Sequence, residues 1–230
     1  MPGIVGIISK SKSESDNHLL DKMIRSIKHQ KWYKVDQYKD LFFKIARVYL
    51  GLLNPESQPI FNEDKSVLVF MDGKIYDYEE EKNKLEQKGY KFHVNNDAEF
   101  CLHLYEELGK NFVKKLNGAF IIVIYDLKNK KILIANDRYG LRPIYYTGNN
   151  SRFLFASEVK AILEDIKFKR ELNDEAVAEF FALGEMLEDK TWFKNIYTLP
   201  YASIWTYDQR KWTKEQYWNF KYLETNISEE

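Results

Sequence analysis

A chain can use its own leading edge as a catalyst when the residue after methionine is Cys, Ser or Thr, because the α-amine there serves as base for that side chain. This chain opens Met1-Pro2-Gly3-Ile4-Val5-Gly6-Ile7. Ile4, Val5, Ile7 and Ile8 form a short uncharged run of the kind found in buried strands. The leading edge is therefore expected at a fixed place in the core, although termini are usually loose. Pro2 carries neither hydroxyl nor thiol. Cys101, the single cysteine, falls at an apolar position of a helical pattern and reads as core. His18, His29, His93 and His103 lack metal-ligand spacing, so no metal site is expected. No glycine-rich phosphate cradle occurs.

Composition narrows the classes. The 35 basic and 35 acidic residues cancel, which leaves no electrostatic case for nucleic acid or an anionic membrane. No uninterrupted apolar stretch nears the roughly 18 residues of a membrane span, and the opening apolar run is too short for a signal peptide. One cysteine permits no internal disulfide, and the cytoplasm is the expected address. Only 5 Pro and 10 Gly are present, scattered without a linker. The chain reads as one domain over 1–210, with 211–230 as a tail.

Several elements must position these groups. Leu19, Leu20, Met23, Ile24 and Ile27 recur at helical spacing after Asn17. Residues 30–40 are charged and aromatic without a clear period, and 41–50 alternates unevenly as a strand carrying Arg47. Residues 66–71 read as a strand that stops at Asp72-Gly73, a strong turn signal. A charged helix over 78–88 is closed by Gly89, and a second over 98–108 is capped by Asn96 or Asp97. Hairpins pair 119–125 with 132–135 and 144–146 with 153–156. Helices near 158–163 and 174–183 and short strands at 196–199 and 202–207 complete the pattern. Helices around long antiparallel hairpins argue for a layered α+β fold.

Taken in order, six strings resemble the N-terminal domain of asparagine synthetases, a class II glutamine amidotransferase module. They are Pro2-Gly3-Ile4-Val5-Gly6, Asp72-Gly73-Lys74-Ile75-Tyr76-Asp77, Asp97-Ala98-Glu99, Asn117-Gly118-Ala119-Phe120, the run from Asp137 to Tyr146, and the run from Phe155 to Lys160. The resemblance implies an α+β four-layer αββα sandwich of the N-terminal-nucleophile-hydrolase type. It also implies glutamine hydrolysis by a cysteine at the position of Pro2. The resemblance further implies an oxyanion hole of an Asn side chain and the following Gly N–H, where Asp72 and Gly73 stand. Arg47, with Val48 and Tyr49 beside it, corresponds to the arginine that clamps the glutamine α-carboxylate; a surface arginine on an edge strand is the alternative. Asp97 corresponds to the acid that holds the α-ammonium, and a helix cap is the alternative. Asp137 and Arg138 read as a buried structural pair.

The departures gather where the family does its chemistry. Pro2 has no nucleophile, the Asp72 carboxylate would repel an oxyanion, and Lys74 replaces a Glu. Lys74 is expected to pair with Asp72 or Asp97 and close the pocket. The chain is thus expected to be a degenerate glutaminase-like domain of an asparagine synthetase-type, amide-forming enzyme of asparagine biosynthesis. Its expected partner is a synthetase domain or separate synthetase subunit, with glutamine or another small amino acid and a homodimer as further candidates. ATP and magnesium are expected only in the synthetase part, whose Ser-Gly-Gly-x-Asp-Ser loop this sequence lacks. A non-catalytic interaction module with a filled pocket is the alternative.

Overall fold

The computed structural model describes residues 2–10, 14–149, 151–209 and 211–222. Strand β1 (Gly3–Ser9) shows how the layers arise. Successive side chains of a strand point to opposite faces, so Ile4 and Ile8 enter one core with Phe43, Phe70 and Val123. Val5 and Ile7 face the other way, onto Leu20, Met23 and Ile27. A strand buried on both faces must lie inside the molecule, as the apolar opening run predicts.

The first sheet also contains β2 (Lys34–Lys39), β3 (Phe43–Tyr49), β8 (Tyr145–Gly148), β9 (Arg152–Ala156) and β10 (Tyr197–Thr198), in the order β10-β8-β9-β1-β3-β2. The second contains β4 (Ile60–Phe61), β5 (Val67–Ile75), β6 (Gly118–Asp126), β7 (Lys131–Asn136), β11 (Ser203–Tyr207) and β12 (Trp212–Gln216), in the order β12-β11-β7-β6-β5-β4. Neighbouring strands are antiparallel. Helices α1 (Glu14–Ile27) and α4 (Val159–Ile162) cover the outer face of the first sheet. Helices α2 (Glu79–Gln87) and α3 (Asp97–Leu108), with the 3-10 turn Gly109–Lys115, cover the outer face of the second. Three apolar clusters fill the three interfaces of this αββα sandwich. Helix α5 (Asp174–Leu183) lies to one side and buries only Ala176.

Four expectations are corrected. Strand β5 does not stop at Asp72-Gly73; it stays paired with β6 as far as Ile75 and Gly118. Gly73 (φ +129) is needed because a Cβ would lie 2.1 Å from the Ala119 carbonyl oxygen. Its role is close strand approach, not reversal of the chain. Residues 34–39, left without a period, form the edge strand β2, which pairs with β3. Helix α1 begins at Glu14 rather than Asn17. Strand β12 pairs along β11, so a boundary after 210 cuts a hairpin. The rest of the expected tail, 223–230, lies outside the described residues.

Candidate functional site

Strand parity explains how the site is assembled. Asp36 on β2, Arg47 and Tyr49 on β3, and Asp72 and Lys74 on β5 share phase with inward-facing Tyr38, Phe43, Ile45, Leu68 and Phe70. They extend the middle core at the end of the sandwich where β1 begins, exchanging apolar side chains for charged ones. Pro2 precedes Gly3, which pairs with Val48. The start of β1 is stapled in place. The Ile4 N–H donates to Ser157 Oγ at 2.9 Å, and the Ser157 N–H donates to the Ile4 carbonyl at 2.9 Å.

Arg47 is 1 % exposed, which excludes the surface alternative. Its Nη2 donates to Asp36 Oδ2 at 2.8 Å and to the Glu56 carbonyl at 2.7 Å, and its Nη1 to the Asn54 carbonyl at 3.0 Å. The guanidinium stacks 3.8 Å from the Tyr49 ring centroid, while Nε is buried without a partner. The Val48 side chain joins the cluster under α1, so it faces away from Arg47.

Asp97 opens α3 but does not cap it. Asn96 Oδ1 accepts the Glu99 N–H at 2.9 Å and is the cap. The Asp97 carboxylate turns instead to β5. Its Oδ1 receives Lys74 Nζ at 2.8 Å, and its Oδ2 receives the Ile75 N–H at 2.9 Å. Burial, and the Asp97 carboxylate beside it, push the Tyr78 hydroxyl above the ordinary phenol range.

Asp72 accepts Arg142 Nη1 at 2.9 Å. Burial raises its carboxyl above the usual carboxylate range, and Arg142 and Arg47 only partly offset that rise. The site thus holds three ion pairs, Arg47–Asp36, Lys74–Asp97 and Arg142–Asp72. Each cation has its own counter-ion. Asn54 ties them together: its amide donates to the Gly73 carbonyl at 3.0 Å and its Oδ1 accepts the Asp97 N–H at 3.0 Å.

Asp36, Asn54 and Arg142 have no role in the sequence reading, although Arg142 stands in a quoted string. Their partners lie 11, 19 and 70 positions away. The expected Asp137–Arg138 pair is also corrected. The Asp137 carboxylate instead accepts the backbone N–H groups of Phe120, Tyr139, Leu141 and Arg142, which shapes the loop that presents Arg142. Cys101 is buried in the core, where desolvation pushes its thiol up. Among the described residues no three His, Cys, Asp or Glu side chains gather as metal ligands, and no helix is long and apolar enough to cross a membrane.

Strands stacked in this way around a first-strand terminus define a known class. The family model for a glutamine amidotransferase domain matches residues 1–218, and the chain belongs to that family. It is 32 % identical over 208 residues to glutamine-hydrolysing asparagine synthetase 2 of Bacillus subtilis (strain 168), covering 86 % of this chain and 27 % of that one. It is 35 % identical over 171 residues to asparagine synthetase 2 of Oryza sativa subsp. japonica, covering 72 % and 28 %. With the Sandersonia aurantiaca asparagine synthetase the values are 30 % over 210 residues, 88 % and 38 %. The chain therefore spans about a quarter to two-fifths of these relatives. Among solved structures, glutamine phosphoribosylpyrophosphate amidotransferase from Bacillus subtilis superposes with a TM-score of 0.65 at 16 % identity, over 94 % of this chain and 49 % of that one. At such identity the likeness establishes the N-terminal-nucleophile type of fold.

Proposed function

We propose that this chain is a glutaminase-type domain that has lost glutamine hydrolysis and serves an asparagine synthetase-type partner. The carrying observation is Lys74 Nζ seated 2.8 Å from Asp97 Oδ1. If Asp97 is the family's ammonium-binding acid, this chain supplies its own ammonium there. A free α-amino acid would have to displace Lys74 from Asp97 and Asp36 from Arg47. Two further features support the reading. Pro2 cannot form a thioester, and loss of the nucleophile from a catalytic unit removes several orders of magnitude in rate. Asp72 sets a carboxylate where a side-chain N–H donor is needed for an oxyanion.

The partner in this reading is a synthetase domain or subunit, cytoplasmic like this chain, and ATP and magnesium chemistry belongs to that part. A specific observation also favours docking over the closed site. Leu52, Leu53, Tyr76 and Leu141, within two residues of Asn54, Lys74 or Arg142, are exposed, and exposed apolar side chains next in sequence to site residues suit a macromolecular partner.

A restoration series tests the loss of hydrolysis. Pro2→Cys alone should release no ammonia from glutamine above the wild-type background. Pro2→Cys with Asp72→Asn and Lys74→Glu should release it, after mass spectrometry has shown the cysteine at the amino terminus. Activity from Pro2→Cys alone would show that Asp72 and Lys74 do not disable the site.

A further inference from the structure

A hollow lies at the opposite end of the sandwich, lined from both sheets. Strand β1 runs about 20 Å at ~3.3 Å per residue, which separates the disabled site from a cleft beyond Ile8. This cleft has a volume of about 270 Å³. It is lined by Ile8, Phe42, Tyr125, Ile132 and Tyr207, together with Lys10 and Lys130. A second hollow of about 190 Å³ shares Ile8, Lys10 and Tyr207 and adds Phe153, Trp212 and Lys211. Apolar residues from both sheets thus line two adjoining hollows, Lys10 and Lys130 contributing to the first and Lys10 and Lys211 to the second.

The charge balance of the rim is what selects a ligand. Among the described residues, Lys10, Lys130 and Lys211 have no ion-pair partner. Two acids stand beside these walls, Asp40 against Tyr125 and Asp208 against Tyr207, and the three lysines outnumber them. Asp40 accepts the Phe42 and Phe43 N–H groups at 2.8 and 2.7 Å, and Asp208 accepts the Lys211 N–H at 3.0 Å. The Ser9 hydroxyl is bonded to Asp16. An apolar wall lined by more cations than acids is complementary to a molecule with a greasy body and one anionic head.

We propose that this cleft binds an amphipathic carboxylate, body against Tyr125, Ile132 and Tyr207 and carboxylate among Lys10, Lys130 and Lys211. The site is independent of the closed one, so its test does not depend on the proposed loss of hydrolysis. The full chain is titrated with octanoate, decanoate, 2-naphthoate and decanamide by calorimetry, with fluorescence of Trp212 as local reporter. Each methylene buried should tighten binding about fourfold, from ~0.8 kcal/mol per CH₂. Decanoate should therefore bind about tenfold or more tighter than octanoate, and decanamide at least about tenfold weaker than decanoate. Preference for 2-naphthoate would assign the body to aryl acids, and preference for decanoate to acyl chains; either supports the site. The surface variant Lys10→Glu/Lys130→Glu/Lys211→Glu should weaken carboxylate binding at least about tenfold and leave the unfolding midpoint within a few degrees. No saturable binding, equal affinity for acid and amide, or unchanged affinity in the triple variant overturns the proposal.

Discussion

Replacing Lys74 with Met removes the ammonium that Asp97 faces and keeps most of the side-chain stem. Asp97 is buried, and in the variant its Oδ2 keeps the Ile75 N–H at 2.9 Å and the Asn54 amide at 3.4 Å. Oδ1 loses its 2.8 Å partner. Breaking a fully buried pair costs about 3–5 kcal/mol, whereas an exposed pair contributes about 0–1 kcal/mol. The Lys74 side chain is 40 % exposed and that of Asp97 1 %, so water partly replaces the lost ammonium. The expected loss is intermediate, about 2 kcal/mol. For a domain of this size that is a fall of about 4–8 °C in Tm. A double-mutant cycle with Asp97→Asn should return a coupling of about 1–2 kcal/mol. The vacated carboxylate should also accept an outside cation. Methylammonium at ten times its Kd would restore about 1.4 kcal/mol to Lys74→Met and nothing to the wild type, where Lys74 holds the place. Thermal melts followed by tryptophan fluorescence, with and without methylammonium against matched tetramethylammonium, read all of these. A Tm change below about 1 °C, or equal rescue of both proteins, would refute the internal-ammonium argument.

Other perturbations separate the remaining parts. Gly73→Ala should cost more than about 3 kcal/mol or abolish soluble expression, because the new Cβ meets backbone atoms of Ala119 and Phe120 at 2.1 and 2.7 Å and the cores of both sheets resist overpacking. Gly89→Ala, with positive φ but nothing within 4 Å, should cost only about 1 kcal/mol, as urea midpoints will show. The raised Asp72 carboxyl means that the folded state holds this proton more tightly than the unfolded one. Its contribution to stability therefore falls as pH rises above about 4. Asp72→Asn removes that decline, so variant minus wild-type stability should grow between pH 4 and 7, and a pH-independent difference contradicts it. Asn54→Ala should lose about 2–4 kcal/mol in chemical denaturation, because it leaves the Asp97 N–H and the Gly73 carbonyl without their bonds.

Much of the architecture is legible because the central strands are unbroken apolar runs, as strands covered on both faces are. Ile4, Phe43, Ile45, Phe70 and Val123 line the middle core, yet Val5, Val48, Val69 and Ile122 are equally apolar and face the outer cores, so burial is legible but the face is not. The failures within the sheets have physical causes. Strand β2 is a polar edge strand whose outer side chains need no apolar pattern, so its period is invisible, and Asp36 with it. Asp-Gly favours turns, yet the tight contact of Gly73 with β6 is equally good reason for a glycine, and one sequence cannot distinguish them. The site itself is legible in part. Arg47, Lys74 and Asp97 stand near one another as the family strings imply, and Lys74 chooses Asp97 over Asp72. The choice depends on Arg142, which takes Asp72 from a loop 70 positions away. That loop is shaped by Asp137, and no local spacing reports such a contact. Strand β12 escaped notice because Trp212–Gln216 is short, charged and half exposed.

The central claim is that a domain of the glutamine amidotransferase family with Pro2 at its leading edge does not cleave glutamine. The purified wild-type chain should be incubated with glutamine labelled at the side-chain amide nitrogen and followed by nitrogen NMR. The account predicts that the amide signal persists and that no ammonium signal grows beyond spontaneous hydrolysis. Ammonium and glutamate appearing together, at turnover rates that scale with protein concentration, would contradict it.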